Sequence, residues 1–127
     1  MEQKIHILTA FNNYTWNEVK YLYNSLKKVS FEGSINFILY DQDEKRDTEF
    51  ISKGINLIYS KLDNLEVVVK RFYDYSQFCA TLPEKDIVFC IDTADLIFQI
   101  NPYDFFSNHP ELLKKDIFLG SIFALTG

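Results

Sequence analysis

Glycine is scarce in this chain, with four in 127 residues. A phosphate-cradling loop relies on glycines for close backbone approach, so a Gly-rich phosphate loop is excluded. A basic footprint is also missing. Thirteen Lys and Arg face eighteen Asp and Glu, for a net charge of −5. Nucleic acid is therefore not an expected partner. An anionic ligand would need a metal ion or backbone N–H groups instead of a Lys/Arg field. The two cysteines, Cys79 and Cys90, stand in no metal or redox spacing. Both lie in apolar contexts and read as buried thiols. No apolar run approaches the ~20 residues of a membrane span. The first residues, Met-Glu-Gln-Lys-Ile-His, lack the apolar core of a signal peptide. The expected compartment is the cytoplasm, with no transmembrane segment and with peripheral membrane association left open.

Hydrophobic residues are plentiful, at 47%, and aromatics unusually so, at 17%. One domain over residues 1–127 with a single core is expected. Residues 4–10, KIHILTA, read as a first strand covered on both faces. Thr15 with Glu18 forms a capping box, and Val19, Leu22, Tyr23, Leu26 and Val29 then repeat at helical spacing. Gly33 marks the turn into a second strand over 35–40, INFILY. Residues 41–47 read as a charged loop. A short helix is expected over 48–53, stopped by Gly54, with a third strand over 55–59. The next segment carries two signals. Val67-Val68-Val69 favours a strand. Asp63 with Glu66 makes a second capping box, and Leu65, Val68, Val69, Phe72, Ser76 and Cys79 share one mostly apolar helical face. We read a helix over 64–82, ended by Pro83. Residues 87–91, IVFCI, read as a buried fourth strand ending on Asp92. Asn101-Pro102 reads as a break, Pro110 as the first position of a short helix, and 117–123 as a further strand-like run. This alternation specifies an α/β domain, a Rossmann-like and mainly parallel sheet flanked by helices. The last residues, Ala124-Leu125-Thr126-Gly127, follow an apolar run with no polar tail. They read as a chain stopped inside a domain.

Ligands of open α/β sheets bind beyond the C-terminal ends of the strands. The first strand ends in Thr9-Ala10-Phe11-Asn12, the second in Asp41, and the fourth in Asp92-Thr93-Ala94-Asp95. Asp92 and Asp95 are the candidate metal ligands. Two carboxylates at a strand end suit a hard divalent cation, Mn2+ or Mg2+, that leaves positions open for phosphate oxygens. The same pair also fits a turn-capping Asp followed by a solvated one. Arg71, with Lys70 beside it, is a candidate phosphate partner through its planar fork, or a solvated basic turn. Asp41 could accept from a ribose hydroxyl or belong to an ordinary turn. His6 reads as a satisfied core or edge histidine, and no Ser-His-Asp or Cys-His arrangement is visible along the chain.

The stretch 87–102 as a whole resembles the metal-site region of GT-A glycosyltransferases. Some bacterial and plant members carry an apolar strand, Asp-x-x-Asp, an apolar pair, Phe-Gln, and then x-x-Pro with an aromatic. Here these positions are Asp92, Asp95, Phe98, Gln99, Pro102 and Tyr103. The spacer is two residues where the commoner motif has one, and Ala94 stands where Arg is frequent in closer relatives. Upstream, Lys70-Arg71-Phe72-Tyr73 is similar to the family's Arg-Phe helix. The resemblance implies a nucleotide-sugar-binding half. Thr9, Ala10, Phe11, Asn12, Asp41, Arg71 and Asp92 would face a UDP- or GDP-type donor, and Asp92 and Asp95 would hold the metal. It further implies transfer to a saccharide acceptor in bacterial surface polysaccharide synthesis. A catalytically inactive binding module of the same fold is the alternative. A flavodoxin-like receiver fits poorly, because an acidic pair after strand one is missing.

Overall fold

A computed structural model describes residues 4–91, 93 and 97–109. Four strands, β1 (Ile5–Phe11), β2 (Ser34–Leu39), β3 (Asn56–Tyr59) and β4 (Ile87–Cys90), form one sheet in the order β3-β2-β1-β4. All three pairings are parallel. Four helices flank it: α1 (Trp16–Lys28), α2 (Glu44–Ser52), α3 (Val67–Ala80) and α4 (Pro102–Asn108). The described residues thus build the small Rossmann-like α/β sheet that the alternation specifies. None of their helices is long and apolar enough to cross a membrane.

The strands alternate between two covered faces. Ile5, Ile7 and Phe11 of β1, with Ile35, Phe37 and Leu39 of β2 and Phe89 of β4, meet Val19, Leu22 and Leu26 of α1, Phe50 of α2 and Phe105 and Phe106 of α4. The alternate residues Leu8, Ala10 and Ile38 meet Tyr75 and Phe78 of α3, with Val88 and Cys90 at the margin. One face therefore carries three helices over a large aromatic core. Among the described residues, the other carries α3 alone over a smaller one.

Local chemistry sets the element ends. Thr15 caps α1 as expected, its side chain accepting from Asn17 N while Glu18 reaches back to Thr15 N at 3.0 Å. A Cβ on Gly33 would run into the Ile5 carbonyl and the Phe31 ring, so only glycine lets the chain pass into β2. Gly54 closes α2 in the left-handed region, at φ 81°.

Three expectations need correction. Helix α2 begins at Glu44, four residues before the expected 48, because Asp43 accepts from Arg46 N and caps it. The expected Asp63/Glu66 capping box does not form. Asp63 and Asn64 both turn left-handed, at φ 53° and 68°, so the helix starts only at Val67 and Glu66 makes no side-chain cap bond. Asn101-Pro102 starts a helix where a break was expected: Asn101 Oδ1 accepts from Tyr103 N at 2.9 Å and Pro102 takes the first helical position. The expected helix at Pro110 and the strand over 117–123 lie outside the described residues.

Helix α3 is also turned over relative to expectation. Leu65, Val68, Val69 and Phe72 are exposed, Phe72 at 58%, whereas Lys70, Asp74 and Tyr75 are buried. The inward positions 67, 70, 71, 74, 75 and 78 follow helical spacing, so the periodicity is right and the face is wrong. The inward side meets partners on the sheet and at its edge: Tyr75 and Phe78 pack on Leu8, Ala10 and Ile38, and Lys70 and Asp74 bond the hydroxyls of Ser60 and Tyr40, just beyond the ends of β3 and β2.

Candidate functional site

The chain runs outward from β1 through β2 to β3. It then returns through α3 to lay β4 on the opposite flank of β1. The order reverses between β1 and β4, and that crevice at the strands' C-terminal ends is where open α/β sheets bind ligands.

Its floor is well anchored. Beyond β4, Ile91 N donates to Leu8 O at 3.0 Å. Thr93 is buried, and its hydroxyl bonds that of Thr9 at 2.5 Å. Further along, Phe98 N donates to the buried Ser25 hydroxyl of α1 at 2.9 Å. The Asn101 amide donates to Val29 O and Ser30 O at the end of α1. The segment after β4 is therefore tied to β1 at its start and to α1 at its finish. Asp92 and Asp95, the expected metal ligands, lie outside the described residues. Among the described residues, no group of three or more His, Cys, Asp or Glu side chains is arranged to hold a metal ion.

The β1 end differs from the simplest expectation. Ala10 is buried, and Phe11 sits in the core with its ring stacked on Tyr14 at 5.3 Å and set edge-on to Phe37 and Phe50. That ring face is therefore closed to a base, and a ligand would meet β1 through backbone groups and the half-buried Asn12.

At the β2 end, Asp41 is held on two sides. Its Oδ2 accepts from Arg46 Nη1 at 2.8 Å and its Oδ1 from Asn13 N at 3.3 Å. Arg46 is the organising residue here and is invisible in a reading of 41–47 as a loop. It is buried, and it also donates to Asp47 at 2.9 Å, to Tyr14 O at 3.1 Å and to Asp41 O at 3.2 Å. Asp47 in turn accepts from Tyr59 OH of β3 at 2.7 Å. One guanidinium thus joins the loops after β1 and β2 to α2. The available signal was an Arg flanked by Asp41, Asp43 and Asp47, a density of acid that a solvated loop does not need.

On the opposite face, Lys70 Nζ donates to Asp74 at 2.8 Å and to Ser60 at 3.2 Å, and Tyr40 OH donates to Asp74 at 2.7 Å. The Lys70 ammonium is thereby committed within the fold. Burial pushes the Asp74 carboxyl up, but the hydrogen bonds from Lys70 and Tyr40 outweigh it and hold it below the ordinary range. Burial and the Asp74 carboxylate both drive the Tyr40 phenol well above its usual value. Arg71 lies next to this network on α3, half-buried, with its Nε enclosed and its guanidinium 5.3 Å from the Phe72 ring centre.

The fold also assembles a Ser-His-Asp contact that the chain order hides. His6 Nε2 lies 2.9 Å from Asp86 Oδ2, and Nδ1 lies 2.6 Å from Ser34 Oγ. A carboxylate only accepts, so Nε2 carries the proton. In the neutral ring Nδ1 then accepts from the Ser34 hydroxyl, which itself accepts from the Asn36 amide at 2.8 Å. The three residues sit at the N-terminal ends of β1, β2 and β4, opposite the ligand edge. They act as a latch across the sheet, and His6 is the satisfied histidine expected. The hydrogen bond from His6 is the main cause holding the Asp86 carboxyl below its ordinary range. A group with a depressed folded value stabilises the fold above its unfolded value, and that contribution is lost as pH falls through the folded one. Urea midpoints should therefore drop below about pH 4, and Asp86→Asn should start lower at neutral pH and lose less on acidification. Equal acid losses in the two proteins would remove the latch from this account.

No known protein family, curated protein or solved structure matches the chain.

Proposed function

We propose that this chain forms the donor-binding part of a GT-A-type glycosyltransferase. It takes a UDP- or GDP-linked sugar together with Mn2+ or Mg2+ for transfer of the sugar to a saccharide acceptor. The setting is the cytoplasm, in bacterial surface polysaccharide synthesis. The observation that carries this reading is the anchoring of the segment after β4. Its described residues are tied to Thr9 and Leu8 of β1 at one end and to Ser25 of α1 at the other. A segment held in that way at the switch point of a parallel sheet suits a ligand site. It is the same segment whose Asp92, Asp95, Phe98, Gln99 and Pro102 resemble the family's metal region.

The acid at the neighbouring strand end, Asp41, is engaged by Arg46, so the donor set for the ion rests on Asp92 and Asp95. Two carboxylates suit a hard cation whose remaining positions are filled by phosphate oxygens and water. Such an ion supplies the positive charge that a chain of net charge −5 lacks for holding a diphosphate. Around it, backbone groups at Thr9 to Asn12 would meet the base, Asp41 the ribose and Arg71 a phosphate.

The test is a thermal melt with Mn2+ plus UDP or GDP. The melting temperature should rise by several degrees only when ion and nucleotide are present together, and Asp92→Ala should abolish the rise while leaving the ligand-free melt in place. No metal-dependent shift with any nucleoside diphosphate would sink the proposal.

A further inference from the structure

Cys79 and Cys90 are eleven positions apart in the chain, but the fold brings them together. Cys79 lies in the last turn of α3, and Cys90 is the last residue of β4. Cys90 faces the side of the sheet that α3 covers, packed in the cluster that includes Phe78, the chain neighbour of Cys79. The two thiols are hydrogen-bonded to each other. Their surroundings differ, with Cys79 exposed and Cys90 half-buried. The expectation of two buried thiols is therefore corrected at Cys79.

We infer that Cys79 and Cys90 form a reversible dithiol–disulfide pair, in which Cys79 is the entry thiol for low-molecular-weight disulfides and Cys90 the resolving thiol. Exposure assigns the order, because Cys79 is the exposed residue of the pair and Cys90 the half-buried one. The hydrogen bond from Cys90 holds the Cys79 thiol down at about 7, so a large fraction is thiolate, the attacking form, at neutral pH. The Cys79 thiolate attacks one sulfur of the disulfide RSSR. The S–S bond breaks, RS⁻ leaves and takes a proton from water, and a Cys79–S–S–R bond remains. The Cys90 sulfur, giving its proton to solvent, then attacks the Cys79 sulfur and expels the second RS⁻, which is protonated in turn. Two electrons pass from the protein thiols to RSSR, and the products are one protein disulfide and two RSH. The closed form links the end of α3 to the strand that leads into Thr93.

The experiment exposes the reduced protein to excess glutathione disulfide at neutral pH, followed by intact mass and peptide mapping. The wild-type chain should lose both free thiols, lose two hydrogens in mass and yield a linked Cys79–Cys90 peptide, all reversed by dithiothreitol. Cys90→Ser should stop at one glutathione adduct on Cys79, and Cys79→Ser should remain reduced. Alkylation of Cys79 in the wild type should reach half its limiting rate near pH 7. The peptide map of the wild type needs no variant, so misfolding of either serine substitution does not blur the result. A glutathione adduct that persists on wild-type Cys79, dimers linked between chains, or an unreactive protein would each overturn the assignment.

Discussion

Replacing Arg46 with Ala should cost about 3–5 kcal/mol of unfolding free energy, the range for removing one partner of a buried ion pair. Its guanidinium meets Asp41 and Asp47 at 2.8 and 2.9 Å, and the Asp47 side chain is as enclosed as its own. Burial alone would push the Asp47 carboxyl up. Hydrogen bonds from Tyr59 and Arg46 hold it below the ordinary range instead. Removal of Arg46 leaves that carboxylate buried and half-satisfied, and it also strips donors from Tyr14 O and Asp41 O. Arg46→Lys keeps the charge but cannot span four acceptors from a rigid fork, so it should recover only part of the loss. Equilibrium denaturation with urea reads both variants as lowered midpoints. The gap to wild type should narrow as the pH falls toward the ordinary Asp range, because the stranded Asp47 can then take a proton. A loss under about 1 kcal/mol at neutral pH would mean the pairs are worth no more than surface bridges.

Arg46 also marks where the sequence is legible and where it is not. The strands of the parallel sheet are near-continuous apolar runs, and each is separated from the next by helical periodicity. The α/β class follows from that pattern, and the four expected strands agree with the observed ones within a residue or two. Capping by Thr15 and the left-handed stop at Gly54 are equally local and equally readable. Strand order is different in kind. That β4 lies beside β1 depends on where α3 returns across the sheet, which no local pattern encodes.

Two of the misreadings, α2 and the face of α3, share one cause: charge reads as a sign of solvent. Residues 41–47 look like a loop because six of the seven are charged, yet Arg46 and Asp47 satisfy each other and are buried at the start of α2. Lys70 and Asp74 look outward for the same reason and face inward, where Tyr40 and Ser60 complete their bonds. Ser34, His6 and Asp86 are separated by up to eighty residues and meet only after the sheet forms. At the candidate site, the positions are legible from strand ends, because parallel sheets present those ends to ligands. The partners are not. Asp41, read as a ribose acceptor or an ordinary turn residue, is engaged by Arg46, and Phe11, read among the residues facing the donor, is packed in the core.

The inverted face of α3 makes the sharpest contrast between pattern and packing. Phe37 lies in an apolar strand run and Phe72 on a mostly apolar helical face, and sequence alone assigns both to the core. Phe37, on the central strand β2, is fully buried and set edge-on to Phe11 and Phe50 at centroid distances of 5.1 and 5.2 Å. Phe37→Ala should therefore cost about 3–5 kcal/mol, since neighbours fixed in a parallel sheet cannot close the space that the ring leaves. Phe72 is 58% exposed, and its described ring contacts are the Tyr75 edge at 6.1 Å and the Arg71 guanidinium at 5.3 Å. Phe72→Ala should cost less than about 1 kcal/mol, the scale of an exposed cation–π contact and a surface substitution. Paired urea unfolding curves decide between the two. A cost for Phe72→Ala equal to that for Phe37→Ala would show that α3 buries its apolar stripe after all. The Lys70–Asp74 side would then face solvent, where the hydroxyls of Tyr40 and Ser60 would have lost their partners.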